Sequence, residues 1–425
     1  MYTIPRPLRA STSKDKIDAW QLFWLQRLIA KSYAHVPFVR ERCKHAQVIP
    51  EDIVSLESLR LLPVNSKRDY QRKNISHYLS RLAKPDRLLI RSTSGSTGQR
   101  MQIRRSWYEE RLLNMFFWKA LHSYGFRPSH KLAVIDFREA TADNDNQLLP
   151  NTLRQLGVYR RRVFNGLDDE HLLEKILAYK PDAISGMASA IAELADRAVA
   201  ANISLSPGFI APSGELLTQT LQQRISGLNT RIFNMFGCNE VNTIAWACPF
   251  GCSTFHVMDD ALVVEILDDR DQPVASGEYG NVVVTSLFSY CMPIVRYRTG
   301  DIAIKGNACC DCGSDFSTIT NIIGRTIDYF PLPDGERLHP WELLNTIRTN
   351  MHWINQFQLR QNSLQELELL VVPKVVQYDN NLRALEETAQ QALINRIDIK
   401  VTCVDKIDDS GTSKKRLFKP LFEIS

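Results

Sequence analysis

Apolar and polar positions alternate along this chain with two periods, and the changes of period mark its parts. Trp20, Leu22, Phe23, Leu25, Leu28 and Ile29 recur at helical spacing and predict helix over residues 15–45. Aliphatic and aromatic positions over 107–122 predict a buried helix. Beyond it, short apolar runs at 131–135, 183–186, 208–211 and 230–234 alternate with helix-period stretches at 168–179, 187–200 and 215–226. Strand–helix alternation predicts an α/β domain with a largely parallel sheet. Near residue 255 short strands separated by turns take over, at 263–267, 280–285 and 294–297, and predict a β-rich subdomain over about 245–320. After residue 328 comes a shorter unit. It has a turn at 332–335, a helix near 340–350, strands near 354–361 and 365–374, a helix near 380–394 and a strand at 398–402. That pattern predicts a small α+β domain. The expected domains are 1–327 and 328–425, joined at a hinge.

Length and composition narrow the function classes. At 425 residues the chain exceeds one ordinary core. The net charge of +5 is spread too thinly to favour nucleic acid, and no basic stripe is interleaved with aromatics. No apolar run reaches membrane-spanning length, and no apolar leader precedes a small-residue cleavage site. The expectation is a cytoplasmic protein, where nine cysteines would be reduced or metal-bound.

Candidate chemistry begins at Ser92-Thr93-Ser94-Gly95-Ser96-Thr97-Gly98-Gln99-Arg100, between two strand-like segments. Glycines and hydroxyl residues there make a loop rich in N–H and O–H donors, suited to nucleotide phosphates. No Gly-Lys-Ser/Thr closes it, so it is not a Walker loop. Five further segments follow in order: Pro212-Ser213-Gly214-Glu215-Leu216, Asn234-Met235-Phe236-Gly237-Cys238-Asn239-Glu240, Arg296-Tyr297-Arg298-Thr299-Gly300-Asp301, Gly324-Arg325-Thr326-Ile327-Asp328, and a Ser/Lys-rich run over 409–416.

This order resembles the adenylate-forming acyl/aryl ligase superfamily, and within it the phenylacetate–CoA ligase-like and capsule-biosynthesis-type branch. Ala34-His35-Val36-Pro37-Phe38, before Arg40, is similar to that branch's N-terminal signature. The resemblance implies a large N-terminal adenylation domain and a small mobile C-terminal one. It implies ATP-dependent activation of an aryl or acyl carboxylic acid to an acyl-adenylate, release of pyrophosphate, and transfer to a thiol of CoA or a carrier protein. Ser94, Gly95, Ser96, Thr97 and Gly98 would cradle phosphates, with Thr93 donating its hydroxyl. Ser213, Gly214, Glu215 and the segment Asn234, Met235, Phe236, Gly237 would frame adenine. Glu240 would hold Mg²⁺, Asp301 the ribose hydroxyls, and Arg325 ribose or phosphate. Lys414, or Lys415 beside it, would partner the transferring carboxylate. Arg100, Ile327 and Ser413 depart from the family pattern, so an amide-forming ligase or a nucleotide-binding protein without ligase activity stays open. A homodimer is compatible with the chain. The aromatic positions Trp107, Tyr108, Phe116, Phe117 and Trp118 would either line the acid pocket or form ordinary core.

A second cluster comprises Cys248, Cys252 and His256, and then Cys310 and Cys312. Two such knuckles joined by a small sheet would make a tetrahedral structural Zn²⁺ site. Cys248, Cys310 and Cys312 are three ligands, with Cys252 and His256 competing for the fourth place.

Overall fold

The computed structural model describes residues 12–92, 101–136, 157–165, 171–307, 309–325, 330–332, 337–338, 353–373, 379–393, 397–407 and 418–420. The chain divides into two compact units, Met1–Ile322 and Ile323–Ser425. No described helix is long and apolar enough to cross a membrane.

The predicted N-terminal helix is two helices, Lys14–His35 and Pro37–His45. Proline explains the break: its ring disfavours helical backbone at Val36, which takes φ −115° and ψ 114°. Arg40 Nε then donates to Tyr33 O at 2.8 Å, and its Nη2 reaches Ala34 O. These bonds satisfy carbonyls that the end of the first helix leaves orphaned. Phe38 packs against Tyr70 and Tyr78.

Strands β1 (Leu89–Ser92) and β2 (Gln102–Arg105) form an antiparallel hairpin. The helix Trp107–Ser123 follows, opened by a capping box between Ser106 and Glu109. Glu109 does more than cap. Its Oε2 accepts from Ser106 N at 2.7 Å, and its Oε1 accepts from Tyr290 N at 2.6 Å and Cys291 N at 2.7 Å. One buried carboxylate thus staples the helix start to a loop far along the chain.

Next come β3 (Lys131–Asp136), β4 (Arg160–Asn165), β5 (Ala183–Met187) and β6 (Phe209–Ser213). They form a parallel sheet in the order β4-β3-β5-β6. Both faces are covered. Ala133, Ile135 and Ile184 pack with the helices Leu172–Tyr179, Ala188–Ala200 and Gln219–Ser226. Leu132, Ala183 and Phe209 face the larger core that includes the helix Trp107–Ser123. Strand β4 went unpredicted because Arg160, Arg161 and Arg162 hide it. It is an edge strand, so it alternates between exposed and half-buried positions instead of reading as apolar.

The β-rich part holds β7 (Met235–Cys238), β8 (Asn242–Ala247), β9 (Phe255–Val257), β10 (Leu262–Leu267), β11 (Tyr279–Ser286), β12 (Tyr297–Lys305) and β13 (Thr318–Arg325). Their order in one sheet is β10-β11-β12-β13-β9-β8-β7.

The second unit has a small pair, β14 (Phe330–Pro331) and β15 (Arg337–Leu338). Its main sheet contains β16 (Ile354–Gln361), β17 (Glu366–Pro373), β18 (Asp398–Cys403) and β19 (Phe418–Pro420), ordered β18-β17-β16-β19. The helix Asp379–Ala392 covers it through Leu385 and Ala389.

Replacing Glu109 with Ala strips several buried donors of their acceptor, and Glu109→Ala is expected to cost about 2–4 kcal/mol of stability. Urea denaturation measures this, and a midpoint equal to wild type would contradict the staple.

Candidate active site

Three strand ends converge on the candidate site. The first is the carboxyl edge of the parallel sheet, where α/β folds expose their crevices. Ser213 ends β6 there, and Gly214 follows at φ 79°. A Cβ on Gly214 would lie 2.7 Å from Met187 Sδ, so only glycine lets this turn lie against the end of β5. Glu215 Oε1 accepts from Ser189 N and Ser189 Oγ, both at 2.6 Å. The carboxylate therefore sits at the N-terminus of the helix Ala188–Ala200, where the helix dipole favours negative charge. Its observed work is to tie two neighbouring turns together.

The second is the segment Asn234–Glu240. Residues 231–233 run parallel to β6 through Ile210, whose carbonyl accepts from Phe233 N at 2.8 Å. Met235 and Phe236 emerge buried beside the Ser213 turn, and Asn234 O accepts from Ala247 N at 2.9 Å. Gly237 lies where a Cβ would meet Asn242 O at 2.3 Å, at an irregularity in the β7–β8 pairing. Glu240 follows in the turn and is buried.

The third is β12. Arg296 precedes it at φ 43°, an unusual conformation for a non-glycine residue. Its guanidinium pairs with Glu265 at 3.0 and 2.8 Å and reaches Leu62 O at 2.5 Å. Asn65 adds bonds on both sides of Tyr297, from its N to Arg296 O and from Arg298 N to its O, each 2.7 Å. Arg298 pairs with Asp271. Asp301 is buried, and its N–H donates to Thr299 Oγ1 at 3.1 Å.

Glu240 lies in the turn joining β7 and β8, three to four places from β12 in the sheet, and Tyr297 Oη nevertheless donates to Glu240 Oε1 at 2.8 Å. The thiol of Cys238 is pushed well above its ordinary range by burial, reinforced by the Glu240 and Asp301 carboxylates.

Sequence reading did not find the residues that hold Glu240. Arg105 Nη2 donates to Asn239 O and Glu240 O, both at 2.6 Å. Arg105 Nη1 donates to Glu110 Oε2 at 3.1 Å, and Arg91 donates to Glu110 Oε1 at 2.6 Å. Burial alone would raise the Glu110 carboxyl, but the two guanidiniums hold it below the usual carboxylate range. A Glu five residues after an Arg, with that Arg closing a strand, is too common a pattern to have signalled this chain of contacts.

The cysteine cluster assembles at the other end of the same sheet's central strands. Ligand atoms of Cys248, His256, Cys310 and Cys312 all lie within 4.8 Å of one another. Tetrahedral zinc, with Zn–S about 2.3 Å and Zn–N about 2.0–2.1 Å, requires S···S near about 3.8 Å and S···N near about 3.6 Å. Cys310 Sγ lies 3.8 Å from Cys248 Sγ, and Cys312 Sγ lies 3.5 Å from His256 Nε2. Burial, aided by the Lys119 charge, lowers His256 to about 4, so its imidazole is neutral. Cys252 stands outside this group of four; the neighbouring Cys248 and Cys310 thiols raise it to about 11. Lys119 is buried nearby, 2.7 Å from Asp260 Oδ2 and 4.1 Å from the Phe316 ring centre.

Several expected residues fall elsewhere. Thr93, Ser94, Gly95, Ser96, Thr97, Gly98, Arg100, Ile327, Asp328, Ser413, Lys414 and Lys415 lie outside the described residues. Arg325 ends β13, of which only the backbone is described. Phe116 is core, stacked on Phe288 with ring centres 5.7 Å apart, and Trp118 packs on Phe126 and Tyr159.

The comparisons with known proteins agree with this geometry. Residues 331–419 match the family model of the CapK C-terminal domain. The chain is 24% identical to a phenylacetate–coenzyme A ligase of Thermus thermophilus, over 93% of this chain and 94% of the relative. It is 21% identical to protein CapK of Staphylococcus aureus, over 85% of this chain and 80% of the relative. A 2-hydroxyisobutyryl-CoA ligase, in the postadenylation state in complex with R3-HIB-AMP, superposes with a TM-score of 0.75 at 18% identity, over 96% of this chain and 90% of that one. The chain is thus similar along most of its length to adenylate-forming CoA ligases, and it shares their fold. Of the six ordered segments, the three that are fully described fall at the edge of the parallel sheet, in the turn after β7 and at the start of β12.

Gly237→Ala forces the new Cβ against Asn242 O, and a cost of about 1–3 kcal/mol is expected from the displaced β7–β8 pairing. Thermal unfolding measures it; wild-type stability would mean that the turn yields freely.

Proposed function

We propose that this chain activates a small carboxylic acid with ATP and passes the acyl group to CoA. The acid's oxygen attacks the α-phosphorus, the bond to the β-phosphate breaks and pyrophosphate leaves. The thiol sulfur then attacks the acyl carbon, and AMP leaves. The observation that carries this reading is the buried Glu240 carboxylate, held by the Tyr297 hydroxyl at 2.8 Å at the start of the strand that carries buried Asp301, on the fold of ligases captured with acyl-adenylates.

Roles follow from chemistry. Glu240 fits a divalent cation: among the described residues its carboxylate accepts from a neutral phenol and forms no ion pair with Lys or Arg. Mg²⁺ bound there would offset charge on the ATP phosphates. Asp301 would accept from ribose hydroxyls, and Ser213, Gly214 and the segment Asn234, Met235, Phe236 would frame the base. The 93–98 loop would close on the phosphates, and Lys414 would stabilise the transferring carboxylate. Glu215 shapes the base site through its turn instead of by direct contact. Nine free cysteines support a reducing, cytoplasmic setting.

The test is carboxylate-dependent ATP–pyrophosphate exchange across aryl, hydroxy and fatty acids. Exchange with one class is expected, and Lys414→Ala should lower it about hundredfold or more while ATP still binds. ATP binding with no exchange for any acid would leave a nucleotide-binding protein without ligase activity.

We also propose a structural zinc held by Cys248, His256, Cys310 and Cys312. The support is the match of two donor separations to tetrahedral geometry. Metal analysis should give about one zinc per chain, and Cys312→Ala should lose it and lower the melting temperature. A folded, metal-free wild type removes the zinc.

A further inference from the structure

Glu240 is restrained from two directions by groups that the reaction itself does not require. On the main-chain side, the Arg105 guanidinium grips the carbonyls of Asn239 and Glu240. On the side-chain side, the Tyr297 hydroxyl takes Glu240 Oε1. Arg105 and Tyr297 are both buried, and each is fixed in turn. Glu110 holds Arg105, and the Asn65 and Arg296 contacts hold the backbone around Tyr297.

We propose that Tyr297 and Arg105 are positioning residues that aim the Glu240 carboxylate at a divalent cation bound with ATP, and that Arg91 and Glu110 hold Arg105 in place for this task. The inference rests on the reading of Glu240 as the cation's carboxylate.

The chemistry of the two restraints argues for aim and not only for stability. An ionised carboxylate offers about four lone-pair positions, and a phenol occupies one of them. A phenol is neutral, so it orients the carboxylate without cancelling its charge. An arginine at the same place would neutralise Glu240 and compete with the cation. Among the described residues, the guanidinium that touches this turn, Arg105, is directed to carbonyl oxygens, and its charge is matched by Glu110. Arg91, on β1, donates to Glu110 at 2.6 Å and continues this chain of contacts into the hairpin.

The test is calorimetric titration of the full-length protein with ATP, with and without Mg²⁺, alongside thermal unfolding. Wild type should bind ATP more tightly with Mg²⁺ than without. Tyr297→Phe removes only the hydroxyl. It should reduce the Mg²⁺-dependent gain in ATP affinity about tenfold, with Mg²⁺-free affinity unchanged and the melting temperature kept within about 2 °C. Arg105→Lys, which keeps the charge but not the two-carbonyl grip, should reduce the same gain. If Tyr297→Phe weakens ATP equally with and without Mg²⁺, or only lowers the melting temperature, the hydroxyl is structural and the inference fails. Glu240→Gln separates the two claims. If it leaves the Mg²⁺-dependent gain intact, the reading of Glu240 fails. If it abolishes the gain while Tyr297→Phe matches wild type, the positioning inference alone fails.

Discussion

One buried guanidinium organises the centre of the larger unit. Arg105 closes β2, pairs with Glu110 on the following helix and grips two carbonyls in the turn after β7. A charge taken out of water costs several kcal/mol unless it is fully paired, so the side chain has one satisfactory arrangement. That arrangement fixes the hairpin, the helix and the turn against one another. The turn contains Glu240, so the position of this carboxylate follows from a structural bond.

The same economy recurs. Glu109 staples a helix start to the loop at 290–291, Arg296 anchors the entry to β12, and Glu215 joins the turns after β5 and β6. Each is a charged residue with low exposure or a fixed partner, and each lies one or a few residues from a site position. The rigid surroundings leave the site's own groups, Glu240 and Asp301, to carry chemistry. The metal-ligating group is a separate matter. Two knuckles in the β-rich part bring three thiols and one imidazole within 4.8 Å of one another, beside an apolar core that includes Ile244 and Ile319.

The larger elements were legible because burial repeats with fixed periods. The parallel strands at 131–135 and 183–186 correspond to β3 and β5 within a residue, since both faces are covered and the runs are continuously apolar. The helix break at Pro37 was legible in principle from proline's missing N–H, but the surrounding apolar period masked it. β4 was not legible, because an edge strand made of arginines has no apolar face to read. Glu240 and Asp301 were found because they sit inside short ordered strings. Their positioning residues were not, because Arg105 and Tyr297 look like any strand-end Arg and any buried Tyr.

What the sequence determined by itself is the set of elements, the order of the site segments and the types of donor available, all of which depend on neighbours within a few residues. What only the tertiary structure decided is which donors meet. The packing of the seven-stranded sheet brings Tyr297 to the Glu240 turn, and the return of β13 beside β9 brings the second knuckle to His256. Contacts between residues 57 and 134 positions apart arise from packing and strand twist, and these have no local signature.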